Sequence, residues 1–271
     1  MSSSFHLYSA LGNYLGPAST DRTYQCLVRE IRNTKTFSTR HVEVVQTKDD
    51  GTKRLCLFLT ADFQIAESAT LMTYSRSPKT DSYWNFEDSI TTDQNRQNML
   101  EQGLADPRSV QMHKVIFGLA DRLLDRRHCP EGVITQTMTG FTAPGTPTTQ
   151  DHLPLTSRTS GDWFKTKHAV KTEAEHVSAL AFTMDAALSF VPLNHSGRSL
   201  AEAGAQSSLD FALRVFGNAV DVNEWCMREM TTIAGGDGRT YSEAKVWERG
   251  GRMVAEMSQQ CILRPKKGAK I

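Results

Sequence analysis

Apolar positions in this chain fall into two similar blocks on either side of a polar stretch. Phe5, Leu7, Tyr8, Leu11 and Leu15 recur at near-helical spacing before Gly16-Pro17, which predicts a short helix. Residues 23–32 (TYQCLVREIR), 37–46 (FSTRHVEVVQ) and 54–63 (RLCLFLTADF) alternate as strands, with Asp50-Gly51 as the hairpin signal before the third. Residues 65–107 are polar and poorly periodic, the pattern of a linker or surface excursion. Val115, Leu119, Leu123 and Leu124 give residues 110–127 helical spacing, while 131–141 reads as a strand and 143–160 as a Thr-, Pro- and Gly-rich loop. A second helix is predicted over 177–190 (VSALAFTMDAALSF), then strands over 208–216, 224–233, 239–248 and 253–263. Helix followed by antiparallel meander therefore occurs twice, roughly 170 residues apart, as an internal duplication would produce. A sheet burying one face of the second helix explains why it is almost free of charge and predicts an α+β chain.

Within that helix Val177, Ala181, Met184 and Leu188 make a core-facing stripe. Asp185, the single charged residue from 177 to 192, falls beside the stripe. A carboxylate there is costly unless hydrogen-bonded, which makes it a candidate base. A helix-edge Asp turned to water, or one capping a loop, fits the same pattern.

The totals narrow the class. The 271 residues suit one large domain or two ordinary ones. With 31 Lys+Arg against 30 Asp+Glu there is neither a basic stripe for nucleic acid nor an acidic tail. Cys26, Cys56, Cys129, Cys226 and Cys261 are scattered, without a C-x-x-C pair, and read as reduced thiols. The eight histidines show no metal spacing, so neither metal nor cofactor is expected. No apolar run reaches the ~20 residues of a membrane span. The first residues lack the pattern of a signal peptide, so a soluble intracellular protein is expected. Ala269-Lys270-Ile271, on the basic tail PKKGAK, resembles the small–basic–aliphatic tripeptide read by the peroxisomal import receptor.

Several stretches together resemble the acyl-CoA thioesterase II family, the double-hotdog thioesterases of bacteria and peroxisomes, and its filamentous-fungal branch in particular. They are HVSALAFTMD (176–185), SSLDFALRVF (207–216), Glu224-Trp225 and RMVAEMSQQCILR (252–264). In the first block SFHLYSALGNYLGP resembles the first-repeat helix, and REIRNTKTFSTRHVEVVQ a strand pair with Arg32, Phe37 and Arg40 in pattern. The resemblance covers about 5–64 and 160–265 and implies a double hotdog. The first repeat, 1–127, would carry the excursion 65–110, and the second would span 128–271. Relative to the family the first repeat looks N-terminally shortened, with a sheet edge left unpaired, so a homodimer is expected.

The family holds a water with an Asp on the second-repeat helix, a Ser or Thr on the following strand and a Gln on the last strand. By motif these fall on Asp185, Ser208 and Gln259, with Gln260 as the alternative, since neighbouring strand residues face opposite ways. The implied reaction is hydrolysis of a fatty or polyketide-like acyl-CoA by direct water attack, without an acyl-enzyme. A carboxylate takes the proton, a hydroxyl and an amide orient the water, and backbone N–H groups near the helix N-terminus stabilise the oxyanion. Two other classes stay open: a non-catalytic acyl-CoA-binding hotdog protein, and a hotdog enoyl-CoA hydratase. The hydratase usually pairs Asp with His, and no His lies within one turn of Asp185. An α/β-hydrolase is disfavoured by the lack of G-x-S-x-G, since GRSLA (197–201) fails at its last position.

Overall fold

A computed structural model describes residues 5–266; the Ala269-Lys270-Ile271 tripeptide lies outside them. The described chain is built on one eleven-stranded antiparallel sheet. Its first half holds β1 (Phe5–Tyr14), β2 (Gln25–Asn33), β3 (Phe37–Thr47) and β4 (Lys53–Ile65). The second half holds β5 (Ile90–Thr91), β6 (Leu124–His128), β7 (Ser160–Thr166), β8 (Ala203–Val215), β9 (Cys226–Gly236), β10 (Arg239–Glu248) and β11 (Met253–Pro265). The order β2-β3-β4-β1-β8-β11-β10-β9-β7-β6-β5 reads alike outward from the β1–β8 junction, β1-β4-β3-β2 one way and β8-β11-β10-β9 the other. This is a duplicated, double-hotdog α+β arrangement.

The duplication differs in detail from its sequence reading. Residues 5–14 form a central strand, not a helix, hydrogen-bonded to β4 on one side and β8 on the other. Tyr8 is a bulge between Leu7 and Ser9, and the extra residue breaks the two-residue alternation into a spacing that resembles a helix. The strand that matches β1 is thus β8, and no helix lies between β1 and β4 among the described residues. Gly12 permits the junction: a Cβ there would stand 2.6 Å from the Phe211 ring and 2.9 Å from Leu59 Cβ.

Among the described residues five α-helices complete the second half: α1 (Thr92–Glu101), α2 (Pro107–Leu123), α3 (Val133–Gln136), α4 (Glu173–Asp185) and α5 (Val191–His195). The helix expected to reach 127 ends at Leu123, because the chain turns extended at Leu124 and pairs with β7 as β6, a strand that runs across position 127. The strand expected over 131–141 is α3 and a following 3₁₀ turn, with Met138 and Thr139 at positive φ. This segment is held by Ile134 N–H to Ser160 Oγ (3.0 Å) and Thr137 Oγ1 to the Val133 carbonyl (2.8 Å), so tertiary contacts override its β-branched composition.

Within 65–110, residues 66–77 are exposed, as in a surface excursion, whereas the part from Pro78 onward carries α1 and packs on the second half of the sheet. Tyr83 is fully buried, its carbonyl accepting from Trp163 Nε1 (2.9 Å) and its hydroxyl meeting Thr159 Oγ1 (2.5 Å). The Arg76 carbonyl accepts from Trp247 Nε1 at 2.6 Å.

The second half closes around α4. Thr172 and Glu175 form a capping box that starts it at Glu173, ahead of the apolar stripe. It stops at Asp185 because Ala186 is extended and Ala187 left-handed (φ 72°). Leu180, Met184 and the following Leu188 are fully buried in the cluster that holds Leu213, Ala244, Val246, Ala255 and Met257; each contributes about 1.5–3 kcal/mol by burial. Glu173–His195 is the one helical stretch, among the described residues, whose length and composition could cross a membrane. The break at Ala186-Ala187 and this packing on the sheet are those of a hotdog core helix.

Three buried histidines make the fold sensitive to acid. His113 accepts from Arg96 Nε (3.1 Å), His128 meets Thr92 Oγ1 (3.0 Å) and His195 meets Ser160 Oγ (2.8 Å). Burial first, then neighbouring cations, push their pKa values down to about 3, about 4 and about 3. Below pH 6.5 the unfolded chain therefore binds more protons than the folded one, so this stability is full at neutral pH and drains as pH falls. Glu229 and Asp185 work the other way, since burial raises their carboxyls. Thermal unfolding at pH 7.5, 6.5 and 5.5 should show falling midpoints, with a loss on the order of 1 kcal/mol per histidine by pH 5.5. A midpoint flat across that range contradicts the account.

Candidate active site

Asp185, Ser208 and Gln259 come from three elements and meet on one face of the sheet. β11 places Gln259 opposite Phe211 of β8. One step on, the register slips: Gln260 faces Asp210 and Cys261 faces Ser208, leaving Leu209 as an extra residue in β8. Without that bulge Ser208, three residues from Phe211, would point to the other face; with it, Ser208 shares the face of Gln259 and Cys261. The carboxylate arrives from the C-terminal end of α4. Gln259 Nε2 donates to Asp185 Oδ1, and Ser208 Oγ donates to Gln259 Oε1 at 3.4 Å. The amide is thereby oriented with its N–H toward the carboxylate. Gln259 is completely buried, whereas Gln260 is half-buried and its backbone N–H bonds the Asp210 side chain. Of the two, Gln259 is the one that reaches Asp185.

Asp185 is open to solvent on one side yet recessed among protein atoms on the other. Burial is the largest influence and raises its carboxyl above the usual range, while hydrogen bonds from Gln259 and Tyr14 act against it. A raised carboxylate is a stronger proton acceptor than one free in water. Cys261, beside Ser208, has its thiol pushed up to about 11, chiefly by burial, so it is not a thiolate nucleophile at neutral pH. Met257 Sδ lies 3.8 Å from Gln259 Nε2 and, like Met227 and Met230, belongs to the buried core.

One expected part of the machinery is displaced. Asp185 ends α4, so the N-terminus of that helix at Glu173 lies about 18 Å away along the axis. Oxyanion donors from the helix N-terminus would be far from this carboxylate. Two groups that the sequence reading passed over do hold the site. Tyr14 approaches Asp185 from β1, hidden by the helical reading of that strand. Arg228 of β9 pairs with Asp162 of β7 and donates to the carbonyls of Thr183 and Ala186, on either side of Asp185. Among the described residues, no three His, Cys, Asp or Glu side chains gather as metal ligands.

Comparison with known proteins agrees with this architecture. The acyl-CoA thioesterase C-terminal domain family matches residues 122–263, and the acyl-CoA thioesterase N-terminal domain family matches 2–64. No curated protein sequence matches the chain. Among solved structures, the acyl-CoA thioesterase II TesB2 from Mycobacterium marinum superposes with a TM-score of 0.66 at 18% identity, covering 98% of this chain and 84% of that one. The TesB protein from Mycobacterium avium subsp. paratuberculosis gives 0.63 at 14% identity over 96% and 79%. A protein of unknown function with a hot dog fold from Alicyclobacillus acidocaldarius gives 0.59 at 13% over 98% and 80%. At such identities the structures speak for the fold, and the two domain matches, which leave only the middle and the ends of the chain outside them, for the family. The chain belongs to the acyl-CoA thioesterase family and is a thioester hydrolase.

Proposed function

We propose that this enzyme hydrolyses fatty or polyketide-like acyl-CoA to free acid and CoA by direct attack of a water held by Asp185, Ser208 and Gln259. The observation that carries the reading is the hydrogen-bonded line from the Ser208 hydroxyl through the Gln259 amide to the Asp185 carboxylate. Asp185 accepts a proton as the water oxygen bonds to the thioester carbon. The C–S bond then breaks and CoA leaves as a thiolate, whose pKa near the ~8.5 of a cysteine needs no strong acid. A buried, neutral Cys261 supports direct attack over an acyl-enzyme.

A panel of acyl-CoAs of increasing chain length, followed with a thiol reagent and by acid release, tests the proposal. CoA and acid should appear together, without a burst of thiol ahead of acid in single turnover. Tight binding without thiol release would favour the binding protein, and hydration of an enoyl-CoA without thiol release the hydratase. The C-terminal Ala269-Lys270-Ile271 supports delivery to peroxisomes by the import receptor. A fluorescent fusion carrying that tripeptide at its free end should be punctate, and diffuse once the three residues are removed. The edge strand β2, paired among the described residues to β3 alone, supports a homodimer, which sedimentation of the full chain would test.

A further inference from the structure

We propose that Tyr14, a residue of the first repeat, is a positioning residue for the Asp185 base of the second repeat, its phenol hydroxyl donating to the carboxylate across the β1–β8 junction. The sheet register supplies the geometry. Gly12 of β1 stands opposite Phe211 of β8, and Phe211 opposite Gln259 of β11. Tyr14 is two residues beyond Gly12, so it shares the face of Phe211 and Gln259. Because position 12 lacks a Cβ, the Phe211 ring lies over it. The Tyr14 ring packs beside that ring, centroids 5.7 Å apart and tilted by 47°. The half-buried phenol is thus braced against Phe211 on the face where the Gln259 amide meets Asp185.

The chemistry follows from the balance on Asp185. Burial favours the protonated acid, which cannot accept a proton from water, and a donor to the carboxylate opposes that tendency. Tyr14 is itself held protonated, by burial first and then by the Asp185 charge, so it remains a donor across the working range. The polar groups that the register places on this face include Gln259 and Cys261 from β11, Ser208 from β8, and Thr240 and Ser242 from β10. Gln259 and Ser208 do not titrate, and Cys261 is neutral. No cation figures among the influences on Asp185, so loss of a donor would not be masked by one.

This inference rests on Asp185 acting as the base, and the experiment separates the two. In the full chain, Tyr14→Phe keeps the ring against Phe211 and removes only the hydroxyl; Tyr14→Met removes both ring and donor. The acid limb of kcat/KM should move up by about 0.5–1 pH unit in both, as expected for one hydrogen bond to a charged group that keeps another partner. A merely structural loss would lower activity without moving that limb. In an Asp185→Asn background the Tyr14→Phe change should add no more than about twofold to the loss, the coupling expected of two groups acting through one interaction. An unmoved acid limb, or failure of both variants to fold, overturns the role of Tyr14 while leaving the base in place. Full activity in Asp185→Asn alone overturns the base reading itself.

Discussion

Asp185→Asn is expected to lower kcat for acyl-CoA hydrolysis by about 10²–10⁴-fold, the usual worth of a general base. Asparagine keeps the shape of the side chain and an oxygen for Gln259 Nε2, so the line to Ser208 can persist. What it lacks is basicity, and binding of the acyl chain and CoA should stay nearly intact. KM should therefore change far less than kcat, because the lost interaction is made in the transition state. Residual hydrolysis should also lose the acid limb that Asp185 imposes on the wild-type profile. Ser208→Ala sets the contrast. Its hydroxyl meets the amide at 3.4 Å and touches the carboxylate only through it, so a smaller loss is expected. If Asp185→Asn and Ser208→Ala were equally mild, water activation would lie elsewhere.

Much of this site was legible because its parts sit in locally distinctive sequence. Asp185 is the single charged residue from 177 to 192, and Gly235–Gly238 and Gly250-Gly251 mark the turns from β9 to β10 and from β10 to β11. Gln259 and Gln260 could not be separated by alternation alone, which says that they differ in face but not which faces Asp185; the register to Phe211 decides it. Features that join distant segments stayed hidden. The Leu209 bulge, which brings Ser208 onto the right face, depends on the pairing of β8 with β11 and leaves no mark in SSLD. Tyr14 was masked by the Tyr8 bulge, which lends β1 a helix-like apolar spacing. β7 is buried on both faces, Trp163 on one and Phe164 on the other, and so shows no alternation to find. The same misreading of β1 set the repeat distance, because a strand in the first copy was matched to a helix in the second.

Arg228→Met is the substitution expected to cost the most stability. Arg228 and Asp162 are almost wholly buried and form a two-pronged pair, Nε to Oδ1 at 2.8 Å and Nη2 to Oδ2 at 2.7 Å. Burial alone would raise the Asp162 carboxyl, but the guanidinium outweighs it and holds the group below the usual range. Removing the arginine strands that charge in the core, a loss of about 3–5 kcal/mol. At roughly 2–4 °C per kcal/mol, the melting midpoint should fall by about 6–20 °C. Adding Asp162→Leu removes the stranded charge and should recover most of that loss, since an apolar pair often replaces a buried ion pair without penalty. Activity should not recover with it. The third arm of the guanidinium, Nη1, donates to the Ala186 carbonyl at 2.9 Å and to that of Thr183, and so fixes the chain on both sides of Asp185. Methionine cannot replace those donors, and the double variant should melt near the wild-type midpoint while kcat stays reduced. Joint recovery of midpoint and kcat would mean that the pair serves the fold alone and that Asp185 is positioned by other contacts.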